Sequence, residues 1–143
     1  TMLPTAAKIH SESWIESHRS FCDEQFLSKH SAEAQLHYLR SEMESGKCLF
    51  MLVDKTPKGI VSVRDDLIEN LYVLPTEQRK GYGTELLLFA MARCKGTPCL
   101  WILENNEAAY CLYTKHGFKP TGNKHKLSDT ISEIELKKFE GID

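Results

Sequence analysis

The sequence predicts an α+β fold with a mixed, mostly antiparallel sheet. Three observations carry that expectation. Residues 5–44 repeat their apolar positions at helical spacing. Residues 48–74 then hold three short apolar runs separated by turns, the pattern of an antiparallel meander. After them a strongly apolar helix stands between two apolar runs, so the second run lies parallel to the first.

The chain's 143 residues suit a single domain, 1–143, with a substantial core. Its composition, 41% hydrophobic and 27% charged, is that of a soluble globular protein. A net charge of -2 and a pI near 6.3 give no footprint for broad nucleic-acid binding. No apolar run reaches the roughly 20 residues needed to cross a bilayer, so no membrane partner is expected. Thr1-Met2-Leu3-Pro4 is neither a signal nor a transit peptide, and a chain opening on Thr is expected to have lost a few residues.

Cys22, Cys48, Cys94, Cys99 and Cys111 are odd in number and form no Cys-x-x-Cys. They read as reduced thiols of a cytoplasmic protein, several on core faces. Six histidines offer no metal set, and His10 and His18 stand too far apart along a helix to share a face closely.

In chain order, Ala6, Ile9, Trp14 and Ile15 predict a helix over 5–17, with Pro4 suited to its start. A short helix follows over 21–29. A third runs over 31–44 with Ser31 as N-cap and Gly46 at its C-terminal end. Cys48–Val53 and Gly59–Arg64 read as strands joined by a turn over Asp54–Lys58. Asp65-Asp66 turns the chain into a third strand, Leu67–Leu74. A helix runs from Gly83 to Cys94 and is stopped by Lys95-Gly96-Thr97-Pro98. Cys99–Leu103 is a buried strand, and Asn106 caps a helix over 107–116 that Gly117 ends. Phe118–Thr121 and Thr130–Lys137 are the last strands, with Glu133 and Glu135 on a wet face.

The stretch that organises the rest runs from Leu71-Tyr72-Val73-Leu74-Pro75 through Gln78-Arg79-Lys80-Gly81-Tyr82-Gly83-Thr84 into the apolar helix. A helix start leaves backbone N–H groups without partners and concentrates partial positive charge. Glycines let the chain approach a ligand closely, and Arg79 and Lys80 add charge. Such a loop suits a phosphate, although a simple tight connection uses the same residues. It is not a P-loop, because Tyr82 follows Gly81, nor a dinucleotide fingerprint, because Leu86 stands where a third Gly belongs.

Gln78-Arg79-Lys80-Gly81-Tyr82-Gly83 resembles motif A (Q/R-x-x-G-x-G/A) of the GNAT superfamily of acetyl-CoA-dependent N-acetyltransferases. The run from Asn106 through Ala109, Leu112 and Tyr113 to Gly117-Phe118 resembles its motif B, N-x-x-A-x-x-L-Y-x-x-x-G-F. The likeness spans about residues 48–138. It implies a GNAT fold, a mixed sheet with helices on both faces, in which the strands at Leu71 and Leu100 splay apart at their C-terminal ends. Pantetheine would lie in that gap against the backbone of Leu71, Tyr72 and Val73. The pyrophosphate would rest on the N–H groups from Arg79 to Thr84, and Asn106 would contact the pantetheine arm.

The implied activity is transfer of acetyl from acetyl-CoA to a primary amine, small or peptidic, by direct attack in a ternary complex and without a metal. Tyr113 matches the position of the general acid, with Tyr110 as fallback. Glu69 is the candidate base, alternation placing it on one side with Leu71 and Val73. Glu104 is the alternative base, and the Val73 N–H is the candidate oxyanion donor. Cys111 reads as a packed thiol rather than a nucleophile. Glu12, Glu16, Asp23 and Glu24 lean toward a cationic acceptor. Relatives open with a strand before the first helix, which Thr1-Met2-Leu3 is too short to supply. That edge is left to missing residues or to a partner subunit, a homodimer. The rival reading is a non-catalytic acyl-CoA-binding sensor or regulatory module.

Overall fold

A computed structural model describes residues 2–20 and 22–139. The N-terminal helices form where the sequence supplies caps. α1 spans Leu3–His18 with Pro4 in its first turn. α2 spans Glu24–Ser28, because the Asp23 side chain accepts the Phe26 N–H at 2.7 Å and fixes the start there. The expected beginning at Phe21 lies outside the described residues. α3 spans Ala32–Glu44 behind Ser31, whose hydroxyl accepts from the Ala34 N–H at 3.2 Å. Gly46 follows it at φ +106, donating to the Met43 carbonyl.

The sheet has six strands in the order β1-β2-β3-β4-β6-β5. They are β1 (Cys48–Asp54), β2 (Thr56–Arg64), β3 (Leu67–Val73), β4 (Cys99–Leu103), β5 (Phe118–Lys126) and β6 (Ser132–Lys138). The β1–β2 connection is tighter than the expected five-residue turn, since Lys55 takes a positive φ of 70 and pairing resumes at Thr56. α4 (Tyr82–Arg93) crosses from β3 to β4, and α5 (Glu107–Lys115) leads from β4 to β5. β5 runs five residues beyond the expected Thr121, because residues 124–126 pair with β6 after a register shift.

Two features of β3 shape the site. Only Leu67 pairs with β4, opposite Cys99, so the two parallel strands part beyond their first residues. A bulge also interrupts the β2–β3 ladder: Ile60 faces Tyr72 but Ser62 faces Glu69, leaving an extra residue on β3. Asn70 absorbs it at φ +55. The bulge resets the alternation, which corrects the expectation that Glu69 shares a side with Leu71 and Val73. Ile68, Leu71 and Val73 pack toward α4, whereas Glu69, Asn70 and Tyr72 turn toward α1 and α3.

The core accordingly has two sides. Val61, Leu87, Leu100, Phe118 and Leu136, all nearly without exposure, pack with Tyr113 beneath α4 and α5. Ala6, Ala7, Ile9, Leu39 and Ile60 join α1 and α3 to the opposite face. Trp14, Leu27, Leu103 and Ile131 form a third cluster, where the end of α1 meets β4.

Candidate active site

Where β3 and β4 part, two cavities meet. The first, of about 500 Å3, is walled by α1, the α2–α3 region, β3 and β4. The second, of about 430 Å3, lies between the end of β3, the glycine loop and α5. Leu71, Tyr72, Asn106, Ala109 and Tyr113 line both. Any groups held in the two cavities would meet at these five residues.

The second cavity collects most of the expected loop residues. Gln78, Arg79, Tyr82 and Gly83 line it together with Leu71, Tyr72 and Val73. Gly81 takes φ +87 as the N-cap residue of α4 and offers no side-chain acceptor, so the first N–H groups of this helix are free of a cap. Open space surrounds the position of a Gly81 Cβ, and Arg79 also takes a left-handed φ of 66. Such a curl with an uncapped helix start fits a diphosphate.

The loop is braced from outside. Glu77 accepts from Lys80 at 2.9 Å and Lys58 at 3.1 Å, and these two lysines hold its carboxyl below the usual range. Lys80 therefore acts as a strut rather than a lining cation, and neither it, Gly81 nor Thr84 lines the cavity. The Gln78 amide and the Ser13 hydroxyl both donate to the Val73 carbonyl, at 3.2 and 2.9 Å, tying loop and α1 to the end of β3.

At the junction, Asn106 caps α5 by accepting the Ala109 N–H at 3.2 Å, and its amide nitrogen lies 3.4 Å from His18 Nε2. Tyr113 is buried, which raises its phenol above the ordinary range. Its ring meets Phe118 edge-on, and its hydroxyl bonds to no other described residue. Tyr110, three residues earlier, is exposed and lines neither cavity. Cys111 is exposed as well, which corrects the expectation of a packed thiol: it falls on the outer face of α5.

Glu69 lines the first cavity only. Its Oε1 receives Lys47 Nζ at 2.7 Å and its Oε2 the Tyr38 hydroxyl at 3.3 Å. Lys47 also donates to Glu42 at 2.7 Å, so a buried ammonium joins two carboxylates under the cavity. Burial first, then the Glu69 charge, raises the Tyr38 phenol. Glu104 stands outside both cavities, 2.6 Å from Lys124.

Sequence reasoning missed the remaining walls of the first cavity. His10, Trp14 and His18 occupy one stripe of α1 and all line it, with Trp14 standing between the two histidines. Trp14 is stacked between His30 (3.5 Å between centroids) and His18 (4.0 Å). The four-residue spacing of His10, Trp14 and His18 was a visible signal for such a stripe. Burial lowers His10 and His18 to about 4, keeping both neutral near pH 7. His10 Nε2 lies 2.9 Å from Asn70 Oδ1, and His18 Nδ1 lies 2.7 Å from the Trp14 carbonyl. Trp101 and Glu133 complete the far wall. Among the described residues, no group of three His, Cys, Asp or Glu side chains could hold a metal, and no helix is long and apolar enough to cross a membrane.

The family model described as an acetyltransferase (GNAT) domain matches residues 44–120, more than half of the chain. No curated protein sequence matches. Among solved structures, the chain is similar to the PaiA N-acetyltransferase of Thermoplasma acidophilum in complex with coenzyme A. That match has 24% identity and a TM-score of 0.67, covering 94% of this chain and 91% of the other. A GCN5-related N-acetyltransferase from Rhodopseudomonas palustris shows 19% identity and a TM-score of 0.75, with 96% and 89% covered. The putative acetyltransferase YncA of Salmonella typhimurium, solved with acetyl-CoA, gives 19% identity and 0.59, with 92% and 88% covered.

Proposed function

The chain belongs to the GNAT acetyltransferase domain family, and we propose that it transfers acetyl from acetyl-CoA to a primary amine by direct attack in a ternary complex. The observation that carries this reading is the pair of cavities meeting at Leu71, Tyr72, Asn106, Ala109 and Tyr113. The cofactor arm belongs in the second cavity and the amine in the first. When bound, acetyl-CoA supplies the activated acetyl group. Holding amine and thioester together provides much of the rate.

Leu71, Tyr72 and Val73 offer their backbone to the pantetheine arm, and the turn from Gln78 to Thr84 receives the diphosphate. The uncapped start of α4 and the open space over Gly81 fit that load. Asn106 contacts the arm while capping α5. The Val73 N–H steadies the developing oxyanion. Tyr113 gives its phenolic proton to the departing thiolate, and a phenol kept protonated by burial suits that role. Glu69, anchored by Lys47 and Tyr38 on the wall of the first cavity, takes the amine's proton directly or through water. Glu104 is a weaker candidate, because it lies outside both cavities.

The chain works as a single domain over residues 1–143. A cytoplasmic setting agrees with five free thiols. The strand order leaves β1 and β5 as sheet edges, and the homodimer expectation attaches to the β1 edge; sedimentation would test it.

Thiol release from acetyl-CoA, measured against a panel of primary amines and peptides, tests the function. Intersecting initial-rate lines are expected. Parallel lines would point to an acetyl-enzyme instead, and CoA binding without turnover on any acceptor would favour the non-catalytic sensor.

A further inference from the structure

The first cavity holds a carboxylate that the acetyl-transfer chemistry leaves unused. Two carboxylates line it, Glu69 and Glu133. Glu69 is already engaged, with Lys47 on one oxygen and Tyr38 on the other. Glu133, on β6 opposite Leu103, meets no lysine or arginine among the described residues. Its contact is His125 Nδ1 at 3.3 Å, and the His125 ring in turn stacks on Trp101 at 4.5 Å between centroids. Trp101 and Glu133 thus stand on one wall, linked by the same imidazole. Neither lines the second cavity, so this wall lies off the junction where transfer takes place. The cavity's lining cation, Lys29, rests instead over the Phe26 ring on the α2 side, 5.8 Å from its centroid.

The chemistry of the reaction limits what Glu133 can hold. The attacking nitrogen must lose its proton before it reacts, so it has no charge to offer a carboxylate during transfer. A carboxylate on one wall with an indole, whose recorded partner is an imidazole rather than a lysine or arginine, suits a cation that keeps its charge. We propose that Glu133 and Trp101 form a second cation site in the acceptor cavity, so that the amine acetylated here carries another positive charge, as an α,ω-diamine does. The proposal rests on the reading of this cavity as the acceptor site. It names the acceptor class and assigns Glu133 a specificity role outside the catalytic machinery.

Equilibrium binding to the CoA-loaded protein tests it without requiring turnover. Diamines of three to six carbons are titrated beside monoamines of matched length, by calorimetry, with wild type, Glu133→Gln and Trp101→Leu. A charged hydrogen bond gained in a partly enclosed site is worth about tenfold in affinity. The best diamine should therefore bind wild type at least about tenfold more tightly than its monoamine, and Glu133→Gln should erase the difference while leaving monoamine and CoA binding unchanged. Trp101→Leu should weaken only the diamine. Equal binding of diamine and monoamine by wild type, a preference that survives in Glu133→Gln, or no saturable diamine binding would each overturn the proposal. Turnover of monoamines alongside such a result would show that the acetyltransferase reading stands without it.

Discussion

Replacing Gly59 with alanine puts the strand pairing beneath the site to a sharp test. Gly59 faces Val73 across the β2–β3 ladder, next to the bulge that turns Glu69 toward α3. A Cβ built there would lie 2.6 Å from the Tyr72 carbonyl oxygen and 2.8 Å from Leu86 Cδ1. The carbonyl belongs to the backbone, and Leu86 is only 3% exposed, so neither can swing aside. Overpacking of this kind costs about 1–3 kcal/mol. At about 2.1 cal/mol/K of melting entropy per residue, the 143-residue chain has about 0.3 kcal/mol/K, so the midpoint should fall by about 3–10 °C. Thermal melts followed by circular dichroism at one pH measure it. Gly83→Ala is the control: its Cβ would meet nothing nearer than 3.8 Å, and its midpoint should stay level or rise. A Gly59→Ala midpoint within about 1 °C of wild type would refute this close approach of β2 and β3.

Two further outcomes follow from buried charge. Lys47→Met strips Glu42 and Glu69 of their shared ammonium and should cost about 1–3 kcal/mol, moderated because both carboxylates keep some exposure. Urea unfolding measures this, and an unchanged midpoint would remove the triad's structural role. His10 and His18 titrate near 4 when folded but near 6.5 when unfolded. Between those values the unfolded chain binds the extra protons, so their stability is complete above about pH 6.5 and falls as pH drops toward 4. Each histidine accounts for up to about 3 kcal/mol of that loss. Unfolding free energies over pH 4–7 should slope less for His18→Gln than for wild type, and equal slopes would contradict its buried neutral state.

How far the sequence could be read depended on the range of the forces involved. Caps and turns are local, so Ser31, Gly46 and Asn106 announced their helix ends, and the apolar runs announced five of the six strands closely. The last part of β5 was not legible, because Gly122-Asn123-Lys124-His125-Lys126 is a polar run that becomes a strand only by pairing with β6. The bulge at Asn70 is likewise a property of two strands. An Asn inside an apolar strand was its sole local trace, Asn being tolerant of left-handed φ. Missing it put Glu69 on the wrong side of β3. That the glycine loop and Tyr113 border one cavity was legible, because the two motifs bring that neighbourhood together from two short stretches. The first cavity was not, because its walls come from six separate elements.

The acid role of Tyr113, at the junction of the two cavities, is the part of the proposed reaction on which the rest depends. Its most direct test is Tyr113→Phe, with kcat from thiol release and acetyl-CoA affinity measured on the same preparation. Removing a positioned acid should lower kcat by about a hundredfold or more and leave the affinity within about threefold of wild type. A kcat equal to wild type would contradict the assignment.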